Sequence, residues 1–157
     1  MILNTALMGI SPLCVWLSSL QKNDEIKKVT DAFTELIHPN KLLQSVAFLF
    51  CVAVKYLITH PSDQNRAQKA FDMALALSNS SLVNESLDED HPANVHTEEN
   101  YYEEADAEDF THVCRNWLRQ TKALFENEEP ILRSRYNCRE TTWDVMHPFI
   151  LAFYFLL

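Results

Sequence analysis

The residues best suited to chemistry are four cysteines and one aspartate–histidine pair, and neither set has the spacing of a known site. The cysteines are Cys14, Cys51, Cys114 and Cys138. They include no CxxC pair and no histidine at zinc-finger spacing, so we expect buried, reduced thiols. Asp144 and His147 are three residues apart and would share one face of a helix. A dyad or a metal site would need further partners, so the sequence predicts no catalytic residue and no metal ligand.

The net charge of −9 is concentrated in one segment. Half of the 22 acidic residues lie between Glu85 and Asp109, where there is no lysine or arginine. The rest of the chain is nearly neutral, and no basic surface indicates a nucleic-acid partner. Residues 79–108 have no clear period and contain Pro92. We expect a disordered acidic insertion there, with weak cation binding or recruitment of a basic partner as the alternative.

The elements that must position these residues are helices. A single glycine in 157 residues excludes glycine-rich phosphate loops and disfavours tight hairpins. We therefore predict an all-α fold in one domain over residues 1–157. The predicted helices begin at Pro12, near Asn23, after an Asn40 N-cap, after a Ser62 or Asp63 cap, near Phe110, and near Thr141 or Thr142.

Helical spacing assigns apolar stripes to the first two helices. The first stripe is Leu13, Trp16, Leu17 and Leu20, and the second is Ile26, Val29, Phe33 and Leu36 or Ile37. Trp16, Trp117 and Trp143 all lie on predicted stripes. We expect all three tryptophans to pack in the core.

Residues 42–57 are the most apolar stretch, and the rest of the chain is organised around them. Only Gln44, Ser45 and Lys55 are strongly polar there, so a helix in this stretch has to be buried on several sides. It is shorter than the roughly 20 apolar residues of a membrane span. The apolar N-terminus has no preceding Lys or Arg and is interrupted by Pro12, unlike a signal sequence. We expect a cytoplasmic protein with no membrane partner.

Residues 4–13 read Asn-Thr-Ala-Leu-Met-Gly-Ile-Ser-Pro-Leu and resemble a segment of the ADP-ribosylglycohydrolases. In that family Asn-Gly-small-x-Met-Arg-x-x-Pro-Leu opens a helix beside the ADP-ribose. The matching positions are Asn4, Ala6, Met8, Pro12 and Leu13, whereas Thr5 replaces the glycine and Gly9 the arginine. Leu36-Ile37-His38 resembles the family's Leu-Ser/Thr-His turn before a long apolar helix. Residues 143–152 are similar to a His-Asp-Ala-Pro-like turn and apolar helix of the eukaryotic ADP-ribosylarginine hydrolase branch.

The resemblance implies an incomplete orthogonal helical bundle of the ADP-ribosylglycohydrolase type. The complete family fold holds two magnesium ions through a Thr-Asp-Asp triplet with a glutamate, and through an Asp-x-Asp-Thr motif. Neither motif occurs in this sequence, and the acidic run 88–90 is in the wrong place to substitute for one. We therefore expect this chain to hold no magnesium and to be inactive alone. Its partner, if the fold were completed, would be ADP-ribose or an ADP-ribosylated protein.

Three residues would contact ADP-ribose by this resemblance: Asn4, Met8 and His38. Each has a simpler interpretation as well. Asn4 would otherwise be a turn or capping residue, Met8 a core residue, and His38 a histidine bonded to backbone at a helix end. The sequence leaves both interpretations open.

Two other functions remain compatible with the sequence. The chain could be a non-catalytic helical module that binds a partner through its apolar C-terminus or its acidic segment. It could also be a membrane-associated helical protein anchored by the last nine residues, which are too few to span a bilayer. We rank the membrane anchor last.

Overall fold

The computed structural model describes residues 5–79, 111–127 and 145–157, and every regular element in these ranges is an α-helix. The helices are α1 (Thr5–Leu17), α2 (Asn23–Ile37), α3 (Lys41–Thr59), α4 (Arg66–Leu77), α5 (Thr111–Glu126) and α6 (Met146–Tyr154). The all-α prediction is confirmed for this part of the chain. Apart from Asn79, the predicted acidic insertion lies outside the described residues, as do Cys138, Thr141, Thr142 and Trp143.

Helix α3 is the centre of the fold, as predicted. Asn40 caps it, because its side-chain oxygen accepts the Leu43 N–H at 3.0 Å. The helix contacts α1, α2, α4 and α5. By length and composition α3 would also suffice to cross a membrane, and 56% of its most apolar window is buried inside the protein.

Helix α1 differs from its prediction in two ways. It begins at least seven residues before Pro12, which lies inside the helix on the solvent side and does not start it. Its buried stripe is Ile10, Cys14 and Leu17. Trp16 is 57% exposed, so its predicted place in the core is wrong. The physical reason is that α1 presents one narrow face to α3, and Trp16 projects about 160° away from Cys14 around the helix.

The stripe predicted for α2 is correct at its start and wrong at its end. Ile26 is fully buried, whereas Leu36 is 88% exposed. The buried face continues instead through Thr30 and Thr34, which are fully buried. Each threonine hydroxyl donates to a carbonyl one turn earlier, at 2.8 and 2.9 Å. These local bonds satisfy the hydroxyls and allow polar side chains to occupy the buried face.

Helices α4, α5 and α6 form the other side of the core. The rings of Phe71 on α4 and Phe153 on α6 meet edge to face at 5.9 Å, and Trp117 on α5 lies 5.9 Å from Phe149 on α6. Arg115 of α5 donates from Nε and Nη2 to the Ser78 carbonyl, at 3.0 and 2.6 Å. The burial of Trp117 predicted from the sequence is confirmed.

The start of α4 lies slightly later than predicted. Neither Ser62 nor Asp63 is its N-cap, since the helix begins at Arg66 after Asn65. Asp63 instead accepts the Asn65 N–H at 2.9 Å in a turn before the helix. Its other carboxylate oxygen accepts Lys69 at 2.7 Å. The carboxylate therefore organises the turn between α3 and α4 without occupying the cap position.

Candidate functional site

The N-terminal half of α1 lies beside the last turns of α2. Gly9 is the contact point, because a methyl group at its Cα would meet Cζ of Phe33 at 3.7 Å. This contact brings the segment that resembles the ADP-ribosylglycohydrolases close to the end of α2, where His38 lies. Of the other two predicted ligand residues, Met8 has its backbone in α1, and Asn4 lies outside the described residues.

His38 lies in the short link between α2 and α3. It is the C-cap of α2, with its N–H donating to the Thr34 carbonyl at 2.7 Å and its backbone extended. Pro39 explains why α2 ends here, because a residue before proline is disfavoured in the α region. Asn40 then starts α3. The side chain of His38 is half-buried at this bend.

A second His-Pro step provides an internal comparison. His60 is the C-cap of α3, its N–H donates to the Tyr56 carbonyl at 3.1 Å, and Pro61 follows. The His60 ring stacks on Tyr56 with centroids 4.1 Å apart, and its Nδ1 lies 2.9 Å from the Thr59 hydroxyl. The His60 ring is thus held by its own helix end. His38 and His60 share the same backbone role and differ in their surroundings.

Asp31 is a polar residue near this bend that sequence reasoning missed. It lies on α2, seven residues before His38. One carboxylate oxygen pairs with Lys27 at 2.6 Å, and the other is buried without a hydrogen-bond partner among the described residues. The sequence feature that could have drawn attention to Asp31 is its spacing of seven residues from His38.

The described residues contain no group of three or more His, Cys, Asp or Glu side chains placed to hold a metal ion. The two magnesium ions implied by the resemblance therefore find no fitting set of ligands in this part of the chain. His147 is 8% exposed on α6, and its predicted neighbour Asp144 lies outside the described residues.

The structure joins two cysteines that the sequence left separate. Sγ of Cys14 on α1 lies 3.4 Å from Sγ of Cys51 on α3, and both side chains are fully buried. The hydrogen bond between the two thiols lowers the pKa of Cys14, because the Cys51 S–H can donate to Cys14 once it is a thiolate. The same bond, together with burial and repulsion from Cys14, raises the pKa of Cys51. The predicted burial of both thiols is confirmed, but their pairing was missed because they are 37 residues apart.

An open apolar groove runs between α3 and α6. It encloses about 310 Å³, part of it open to solvent. Its lining is Phe50, Ala53, Val54, Leu57, Ala152, Phe153 and Leu156. Nearby at the C-terminus, Phe155 is 71% exposed. The groove could accept apolar side chains of another molecule.

Comparison with known proteins adds no relative, since no family model, no curated protein and no solved structure matches this chain. The relation to the ADP-ribosylglycohydrolases consequently rests on the residues quoted above. The structure bears out only the coarser statement that the fold is all-α.

Proposed function

We propose that this chain is a partial ADP-ribosylglycohydrolase-type helical scaffold that binds ADP-ribose at the bend between α2 and α3. The observation that carries the proposal is the close approach of Gly9 to Phe33, where a methyl group added at the Gly9 Cα would lie 3.7 Å from Cζ of Phe33. It brings together two segments that resemble the family at separate points of the sequence. A half-buried histidine in an extended link can present its ring to a ligand without leaving the helix packing.

The chemistry of ADP-ribose suits such a bend. A histidine nitrogen can hydrogen-bond a ribose hydroxyl or a phosphate oxygen, and hydrogen bonds to charged groups are among the stronger ones in proteins. Cleavage of the ribose–protein bond would need an activated water and stabilised charge, which the complete family obtains from magnesium. Because neither magnesium-binding motif of the family occurs in this sequence, we assign this chain binding and no catalytic step.

Binding can be tested with a pair of matched variants. Calorimetric titration of the full chain with ADP-ribose should give measurable binding, and His38→Ala should weaken it by about tenfold through loss of one charged hydrogen bond. His60→Ala is the control, because His60 has the same C-cap role and the same following proline. It should leave the affinity unchanged while circular dichroism reports a folded protein.

Two results would contradict this proposal. The first is a wild-type chain that does not bind ADP-ribose, and the second is an equal loss of affinity in the two histidine variants. The expected lack of catalysis is tested separately, by assaying whether the isolated chain releases ADP-ribose from modified arginine. Magnesium-stimulated release by the isolated chain would show that the expected lack of catalysis is wrong.

A second candidate function is favoured by the groove between α3 and α6. In this alternative the chain is a non-catalytic module that accepts an apolar segment of a protein partner, such as a second copy of this chain. The groove is apolar along its lining, and Phe155 beside it is 71% exposed. Large exposed apolar side chains around a groove are typical of an interaction surface.

Sedimentation over a range of concentrations tests this alternative. Self-association should be reversible and should be lost in Ala152→Glu, which places a charge on the groove lining. Ala123→Glu is the matched control, because Ala123 is exposed on α5 and does not line the groove. A monomer at every concentration, or an equal effect of both substitutions, would exclude self-association through the groove.

A further inference from the structure

Two sulfur atoms on different helices are already in contact. Cys14 and Cys51 approach to 3.4 Å between Sγ atoms, and a disulfide needs about 2.05 Å. Both residues are fully buried, and α1 packs directly on α3 at this point. Closing the remaining gap requires rotation of the two side chains or an approach of the two helices.

We propose that Cys14 and Cys51 are a redox-active dithiol that hydrogen peroxide converts into a disulfide joining α1 to α3. At this contact each thiol has the other as a reaction partner inside the core. Helix α2 lies between α1 and α3 along the chain, so the disulfide would close a covalent loop that contains α2. The inference is independent of ADP-ribose binding.

The two sulfurs have distinct roles in the reaction. Cys14 is the better initial nucleophile, because its lowered pKa favours the reactive thiolate. Thr30, whose hydroxyl also lies beside Cys51, partly offsets the raised pKa of that thiol. Burial limits access, so the reaction follows a local opening of α1 from α3 that admits peroxide.

The reaction balances with peroxide as the oxidant. The Cys14 thiolate attacks one peroxide oxygen, the O–O bond breaks, and hydroxide leaves and is protonated to water, giving a sulfenic acid. Cys51 then loses its proton and attacks the Cys14 sulfur. The S–S bond forms as the S–O bond breaks, and the hydroxide leaves as a second water. Two thiols are oxidised by two electrons in all, and one peroxide is reduced to two waters.

Peptide mapping is a direct test, because the four cysteines fall in four different tryptic peptides, residues 1–22, 42–55, 70–115 and 136–139. The folded, full-length protein is treated with a small excess of peroxide, alkylated and digested without reduction. The expected product is the linked pair 1–22 with 42–55, with loss of two alkylatable thiols and of two hydrogens in mass. Dithiothreitol should restore both thiols.

Variants and a denatured sample separate this pair from random oxidation. Cys14→Ser and Cys51→Ser should each abolish the linked pair, whereas Cys114→Ser, also in a buried position, should retain it. In urea, disulfides should form among the four cysteines with no preference for the Cys14–Cys51 pair. Oxidation that links Cys14 or Cys51 mainly to another cysteine, stops at sulfinic acid, or leaves both thiols free to alkylate would overturn the proposal. The wild-type mapping decides the question even if a serine variant does not fold.

Discussion

At the scale of single residues, the structure is organised by polar side chains that end or start helices. Asn40 is the clearest example, since its side chain accepts the Leu43 N–H and fixes the start of the central helix. Asn65 has the same position before α4 but makes no side-chain capping bond. The two asparagines therefore form a natural comparison.

Replacing Asn40 with alanine should destabilise the fold by about 1 kcal/mol, because an N-cap bond of α3 is lost. Asn65→Ala should have a much smaller effect, since no capping bond is removed. Urea denaturation followed by circular dichroism measures both changes in the free energy of unfolding. Equal destabilisation by the two substitutions would show that the Asn40 bond does not stabilise α3.

Asp63 gives the fold a pH dependence. The hydrogen bond from Lys69, and then that from the Asn65 backbone, lower the pKa of Asp63. Its stabilising contribution is present above the unfolded pKa of about 3.9 and disappears as the pH falls through the lower folded value. Asp63 in turn raises the pKa of Lys69. The contribution of Lys69 is complete below its unfolded pKa of about 10.4 and disappears as the pH rises through the higher folded value.

Asp63→Asn should consequently lower the thermal midpoint slightly between these two limits, and the difference from wild type should vanish in acid. Added salt should reduce it, because the ion pair is exposed to solvent. Asp72→Asn is the control, since Asp72 accepts a hydrogen bond from Gln68 of its own helix and, among the described residues, forms no ion pair. A difference that persists unchanged below the acidic limit would mean that the ion pair is not its source.

At the scale of elements, one side chain on α5 hydrogen-bonds to the end of α4. Arg115 places two donors on the Ser78 carbonyl, at the C-terminal end of α4. A positive charge is favoured at that end because the helix dipole is negative there. This contact links two helices that stand on either side of a long stretch outside the described residues.

Arg115→Ala should cost about 1.5–3 kcal/mol, the usual range for a hydrogen bond that involves a charged group. Arg115→Lys should recover part of the loss, because it keeps the charge and one donor. Arg119→Ala, one turn later on an exposed face of α5, should have little effect. Chemical denaturation of all three variants tests this order, and a similar loss for Arg119→Ala would contradict it.

At the scale of the whole molecule, α3 links the two sides of the core. It contacts α1 and α2 on one side and α4 and α5 on the other. Leu49 lies within it and is 1% exposed, whereas Ile58 near its end is 41% exposed. A cavity at Leu49 therefore removes packing from the buried part of the central helix.

Leu49→Ala should destabilise the protein by about 2–5 kcal/mol, a large share of the roughly 5–15 kcal/mol that holds a typical domain folded. Ile58→Ala should cost far less, because its side chain already contacts water. Urea unfolding should remain a single transition with an unchanged slope. A separate early transition in Leu49→Ala would show that the two sides of the core fold independently.

The sequence by itself determined the helical class, the central helix and its asparagine cap. Residues 42–57 are apolar nearly all round, and a helix of that kind has to be buried on several sides. It also placed Trp117 on an apolar stripe, and this side chain is buried on α5.

The tertiary structure decided which face of each helix its neighbours cover, and the periodicity of the sequence does not contain that information. Trp16 and Leu36 have the spacing of core residues, yet the neighbouring helices cover other faces of α1 and α2. Thr30 is polar in sequence but buried in structure, because its hydroxyl bonds to its own helix. The contact of Cys14 with Cys51, like that of Gly9 with Phe33, depends on how helices far apart in the chain pack together. Local spacing fixes which face a residue occupies on its helix, and only packing fixes what that face meets.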